Sequence, residues 1–145
     1  MASSGTSKPV APIVSGERNL DILIASMEPV ARDGRFVFVT VDESTATHLA
    51  SQIVVRESEG VTVVLPQAAA DEQGLTYDFV AGWITLQVHS ALDAVGLTAA
   101  FATALAEHGI SANVVAGYHH DHVLVPINDL ERAIAALEQL AASRG

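Results

Sequence analysis

The sequence predicts an α/β fold, an α+β sandwich of two ferredoxin-like βαββαβ-type units packed side by side. Two observations carry this reading. The first is a pattern that occurs twice. A helical stretch closed by glycine and followed by a strand spans Leu20 to Gly34 and recurs at Leu97 to Gly109. Each half later reaches an apolar strand ending in proline, Val63-Val64-Leu65-Pro66 and Val123-Leu124-Val125-Pro126, with a helix after it. The second is size. The chain has 145 residues, 50% of them hydrophobic and 17% charged, which suits a real core but makes each unit small. The units are therefore expected to pack as one body. The divisions read as a tail over residues 1–14, a first unit over 15–80 and a second over 81–145.

Element by element, the tail is Ser, Thr, Gly and two prolines without periodicity. Leu20, Leu23, Ile24 and Met27 then share one face of a short helix, with Asn19 as N-cap and Pro29 near its end. Arg35 to Val41 is β-branched and aromatic and reads as a buried strand. Residues 42–52 hold at most a helical turn, capped by Asp42 or Ser44. Ile53–Ser58 and Val61–Leu65 flank Glu59-Gly60 and form a hairpin. Pro66 suits the first position of a helix that runs to Gln73 and is closed by Gly74. Tyr77 to Val88 is strand-like, with Gly82 as a bulge or a handover between strands. Leu97, Phe101, Leu105 and His108 line a helix face, and Gly109 caps it. Ala112–Gly117 and Val123–Val125 are strands around Tyr118-His119-His120-Asp121-His122. A last helix starts at Asn128, with Glu131 at capping-box spacing, and turns Leu130, Ile134, Leu137 and Ala141 inward.

Composition removes several function classes. Asp and Glu number 17 against 7 Lys and Arg, a net charge of −10, and no basic cluster exists. Nucleic acid and anionic membrane surfaces are therefore not expected partners. Cysteine is absent, which excludes disulfides, thiolate zinc sites and cysteine nucleophiles. No apolar run approaches the ~20 residues that span a bilayer. Met1 to Ser7 carries no signal pattern, so a cytoplasmic protein is expected. There is no Gly-x-Ser-x-Gly elbow and no phosphate-cradling glycine loop, so catalysis finds little support.

The stretch from Leu86 to Leu97, continuing to Gly109-Ile110-Ser111-Ala112-Asn113-Val114, resembles the ACT domain, a small amino-acid-sensing module. The shared features are a first strand, a turn ending in Val95-Gly96-Leu97, a helix, and Gly-Ile before an Asn that opens the second strand. The loop Asp93-Ala94-Val95-Gly96 departs from the family pattern in lacking proline. Over residues 15–142 the chain resembles bacterial tandem-ACT proteins of undefined role. Ser15 to Leu20, Gly34 to Phe38 and Asn113 to Pro126 carry that likeness. The resemblance implies a non-catalytic regulatory protein that binds a small molecule, most often an amino acid, as a homodimer and without a cofactor.

Ligand-binding residues follow partly from that resemblance, which implies Asp93, Val95, Gly96 and Leu97 in the loop. Gly96 at a strand-to-helix turn favours an anion such as a carboxylate, or simply allows a tight turn. Asn113 can donate and accept toward an ammonium–carboxylate pair, or tie a loop to the backbone. Asp121 opens Asp-His-x-Leu-Val-Pro. The resemblance makes it the reader of an ammonium or guanidinium group, while its local role is a turn former. Thr40 at a strand end either faces the Gly96 loop or is a solvated strand end. Trp83 suits a core or seam position. Two rival readings stand beside the binder. One is a structural homo-oligomer with a vestigial site. The other is a metal-dependent enzyme at the His119–His122 cluster, completed by His89 or His108; no metal is expected.

Overall fold

The computed structural model describes residues 19–88 and 90–144. The expected tail and His89 lie outside them. Helix α1 (Leu20–Ser26) begins where Asn19 Oδ1 accepts the Ile22 N–H at 3.1 Å. Strand β1 (Glu28–Val41) follows, then a one-turn helix α2 (Glu43–Ala46), whose cap is Asp42, accepting from Thr45 N at 2.8 Å. Strands β2 (Ile53–Glu57) and β3 (Gly60–Pro66) form the expected hairpin and lead into helix α3 (Gln67–Glu72). Strand β4 (Val80–Gln87), helix α4 (Leu97–Glu107) and strands β5 (Asn113–Ala116) and β6 (Asp121–Pro126) come next. A 3-10 turn (Ile127–Asp129) opens helix α5 (Leu130–Ala142).

All six strands join one antiparallel sheet in the order β2-β3-β1-β4-β6-β5. Each half is ferredoxin-like, and the two interleave. β1 pairs with β3 through Phe36–Val41 and with β4 from Glu28 to Val37. The order β2-β3-β1-β4 thus serves the first half, and β1-β4-β6-β5 serves the second. Six strands do the work of eight because the central pair is shared.

Side chains alternate across strands, so one sheet has two faces. Ile84 and Leu86 of β4, with Val123 and Val125 of β6, meet Leu23 and Ile24 of α1, Phe101 and Leu105 of α4, and Leu137 of α5. On the same face of the other half, Val37, Val39, Val63 and Leu65 are covered by Ala46 of α2 and Ala70 of α3. The opposite face carries no helix residue in its cluster. Phe36, Val64, Ala81, Trp83 and Leu124 pack there among themselves. Trp83 is only 3% exposed because Phe36 meets it edge-on at 5.1 Å and the Arg32 guanidinium stacks 3.8 Å from its ring.

The structure corrects three local expectations and adds to a fourth. Pro29 follows the end of α1 closely, as expected, and also stands inside β1, opposite Leu86. That part of β1 has a strand on one side only, and such a position tolerates a missing N–H. Gly82 is no bulge. It pairs regularly with Val125, and a Cβ there would come within 2.8 Å of Leu130 Cδ1. The irregularity sits in β1 between Arg32 and Phe36, around Gly34 at φ +93°. Asn128 is not the cap of the last helix. It falls in the 3-10 turn after Pro126, and α5 starts two residues later without a side-chain cap. Pro66 stands one place before α3 rather than at its first position.

Close approach of α5 to β4 at Gly82 yields a stability prediction. Gly82→Val should cost about 1–3 kcal/mol by overpacking, measured by chemical denaturation. Adding Leu130→Ala should recover part of that loss, and no recovery would show that the contact does not limit packing.

Candidate functional site

Leu86 is the last β4 residue paired with β6, and its partner there is Asp121. Asp121 also faces Ala116 across to β5. Beyond this end of the sheet the chain crosses from β4 to α4 through residues 88–96. The first turn of α4, the end of β5 and the start of β6 thus meet the connecting loop. They enclose a cavity of about 70 Å³ lined by Ser90, Ala91, Leu92, Ala94, Leu97, Thr98, Ala116, Gly117 and Asp121. One water needs about 10–15 Å³ of such space, so the cavity takes a group of several heavy atoms.

Asp121 is the polar exception in the core. It is 8% exposed, and among the described residues no other charged or polar side chain is buried. Burial raises its pKa above the ordinary carboxylate value, and the charge of His120 opposes that rise only in part. An anion held out of water in this way favours a cation beside it. Across the cavity, α4 starts at Gly96, whose φ of +103° is open to glycine and which offers no capping side chain. The first backbone bond of that turn runs from Ala100 N to Gly96 O at 2.9 Å. The N–H groups of Leu97, Thr98 and Ala99 precede it and favour an anion. One wall therefore attracts positive charge and the other negative.

Of the residues singled out in the sequence, the structure brings Leu97 and Asp121 together in this cavity. Asp93 and Val95 lie on the same loop, both exposed, with Val95 84% exposed. Gly96 sits behind the cavity, where a Cβ would come within 3.1 Å of Leu20 Cδ2. Asn113 stands elsewhere. It is opposite Leu124, and its Nδ2 donates to the Leu124 carbonyl at 3.3 Å, three positions along β5 from Ala116. Thr40 is in the other half, paired with Thr62 beside Gly60. Sequence reasoning did not mark Ser90, Thr98 or Gly117. Gly117 carried a signal, a glycine just before an aromatic turn. A Cβ there would come within 2.8 Å of the His120 carbonyl and 3.0 Å of His122 Nε2.

The histidine cluster divides. His122 lies on the helix-free face, where the Trp83 Nε1–H donates to its Nδ1 at 3.2 Å and Thr85 Oγ1 stands 3.1 Å from the same atom. Nδ1 is thus the acceptor, and the ring is held neutral. Burial lowers the His122 pKa, helped by the charges of Arg32 and His120. His120 Nδ1 is buried without a hydrogen-bond partner. Among the described residues no three His, Asp or Glu side chains are grouped so as to hold a metal.

Fold and site together describe one antiparallel sheet with helices packed on one face and a buried carboxylate at a small cavity. Residues 15–82 match one ACT-domain family and residues 78–139 match another. The chain belongs to the ACT-domain family and carries two such domains in tandem. ACT domains are regulatory, ligand-binding modules and are not themselves catalytic. A Vibrio cholerae protein of unknown function is 48% identical, with a TM-score of 0.77, over 84% of this chain and 95% of that one. An Agrobacterium tumefaciens protein is 21% identical, with a TM-score of 0.67, over 79% of this chain and 89% of that one. The ligand-free regulatory subunit of aspartate kinase from Thermus thermophilus shares the fold at 10% identity and a TM-score of 0.59, over 80% and 98% of the two chains. No curated protein matches the sequence. No helix among the described residues is long and apolar enough to cross a membrane.

Asp121 and His122 predict opposite pH effects. The folded His122 pKa is lowered, so the stability its neutral ring contributes is full above the ordinary histidine value and is lost as pH falls below it. The folded Asp121 pKa is raised, so its contribution is present below the ordinary value of 3.8 and is lost as pH rises through the folded value. Asp121→Asn should therefore raise Tm near neutral pH without ligand, with the gain closing toward pH 3. Thermal scans across pH test this; an unchanged or lower Tm at neutral pH would show that the buried charge carries no cost.

Proposed function

We propose that this protein is a non-catalytic regulatory binder of a small amino acid. The zwitterion sits in the cavity at the end of β6, with its ammonium on Asp121 and its carboxylate at the start of α4. The observation that carries this is a buried carboxylate without a cationic side chain in the cavity, opposite an uncapped helix start. The volume favours glycine, alanine or serine over large side chains. The loop residues Asp93 and Val95 shape the entrance, and Gly96 and Leu97 set the helix start. Asn113 and Thr40 stand too far along the sheet for the same molecule, and we assign them no role in this cavity.

In this reading the units over 15–80 and 81–145 respond together, because the strands they share transmit any shift in packing. A ligand biases that packing only by binding one arrangement better than another. The protein works in the cytoplasm through a separate partner. Edge strand β2 exposes Val54 (40%) and Val55 (48%), which supports a homodimer formed along that edge.

Two measurements test the proposal. In a thermal-shift panel of the common amino acids, a binder at about 100 times its Kd adds roughly 2.7 kcal/mol. Glycine, alanine or serine should raise Tm. The matching 2-keto acids, which lack the ammonium, should not, and Asp121→Asn should abolish the response. A shift that survives Asp121→Asn would remove the assigned role, and a flat panel would remove the ligand class. Separately, Val55→Lys should lower the mass seen by light scattering from dimer to monomer. A monomeric parent would end the dimer proposal.

A further inference from the structure

On the helix-free face, His122 stands in a small group of polar side chains. Its Nδ1 takes two contacts from β4: the Trp83 indole N–H donates to it at 3.2 Å, and Thr85 Oγ1 lies 3.1 Å away. The imidazole meets the Trp83 ring edge-on, with 5.5 Å between centroids. The same indole carries the Arg32 guanidinium, 3.8 Å from its centroid. Arg32 in turn donates from Nη1 to Gln52 Oε1 at 3.1 Å. A Cβ on Gly117 would come within 3.0 Å of His122 Nε2, so the ring backs onto the chain and has little room to swing away. Trp83 is buried and Arg32 exposed, so Arg32 is the member free to move.

We propose that these side chains form a proton-operated switch within the folded protein: protonation of His122 withdraws the acceptor of Trp83 and drives Arg32 off the indole, releasing its hold on Gln52. The donor inventory requires the first step. Neutral imidazole accepts at Nδ1, whereas imidazolium carries N–H on both nitrogens. Nδ1–H would then face the indole N–H, donor to donor. The acceptor within its reach is Thr85 Oγ1, whose hydroxyl can reverse its role. The buried indole N–H is left unpaired, which is costly. Electrostatics supply the second step. A charged His122 sets a second cation against a ring that already carries one, and partly buried charges are little screened by salt. The charged groups around His122 are few. β1 presents Arg32 and the turn before β6 presents His120, and both charges disfavour a proton there. β4 presents Trp83 and Thr85, and β5 presents Val115, opposite His122 in the ladder. His119 meets the His120 ring instead, with 6.4 Å between centroids, and Asp121 lines the cavity on the other face. Among the described residues, His122 makes no ion pair with a carboxylate that would offset the added charge. The switch stands independently of the amino-acid cavity.

Trp83 is the chain's single tryptophan, so its emission reads this site alone. In the full-length protein, emission should change in one step as pH falls below the ordinary histidine value, while far-UV circular dichroism stays constant. His122→Gln should abolish the step, and His120→Asn should move it to higher pH by removing a neighbouring charge. Thr85→Val removes the acceptor of the protonated ring, whose charged hydrogen bond is the stronger of the two it makes, and should move the step to lower pH. Thr85→Ser should leave it in place. Acrylamide quenching of Trp83 should rise below the midpoint as Arg32 uncovers the ring, and should be independent of pH in Arg32→Gln. The unmodified protein gives a check that needs no variant: the His122 imidazole followed by NMR should titrate with the emission midpoint. A step that survives His122→Gln, that coincides with loss of circular dichroism, or that departs from the NMR midpoint would overturn the proposal. So would emission or quenching that stays flat through the His122 titration.

Discussion

The pairing of β1 with β4 is the constraint on which the rest depends. Each has a second neighbour, β3 for the later part of β1 and β6 for β4, and their register decides which residues face the helices. Val37 opposite Val80 and Phe36 opposite Ala81 fix the alternation on one stretch, and Arg32 opposite Trp83 fixes it on the other. A slip by one residue would turn Ile84 and Leu86 away from α4 and α5 and bring Trp83 under the helices. Arg32 guards that register from the helix-free face. It stacks on Trp83 and donates from Nη1 to Gln52 Oε1 at 3.1 Å, so one side chain ties the strand to its neighbour and to the segment before β2.

Strand β6 shows how one short run serves two purposes. Asp121 and His122 are adjacent, and alternation sends them to opposite faces. The acid enters the cavity under the α4 loop, while the imidazole accepts from Trp83. Gly117 stands where both meet, close to the His120 carbonyl on one side and the His122 ring on the other. The cavity wall and the aromatic cluster therefore share a backbone, and neither can shift without moving the ladder between them.

What the sequence made legible was local. Asn19, Asp42, Gly74 and Gly109 end or begin helices through bonds and dihedrals within a few residues, and all four act as read. The β2–β3 hairpin and the two proline-to-helix junctions are equally short-range. What was not legible depends on contacts distant in sequence. Gly82 looks like a bulge until Leu130 is seen above it. The first part of β1 is polar and holds a proline, and it becomes a strand only because β4 is there to pair with it. Asp121 sits in a run that resembles a turn, and only the fold makes it buried. Asn113 stands at the end of β5 away from the cavity, opposite Leu124, while Ala116 at the other end faces Asp121.

Sharing the central strands has a consequence for how the molecule is made. Glu28 to Arg32 leave the ribosome early, yet their partners are Trp83 to Gln87. β4 in turn waits for Asp121 to Pro126 before its other edge is covered. Synthesis proceeds at about 5–20 residues per second, so the nascent chain carries an unpaired central strand for several seconds. The first half therefore closes only once β4 has emerged, and because the second half is built on that same strand, a lesion in β4 reaches both domains.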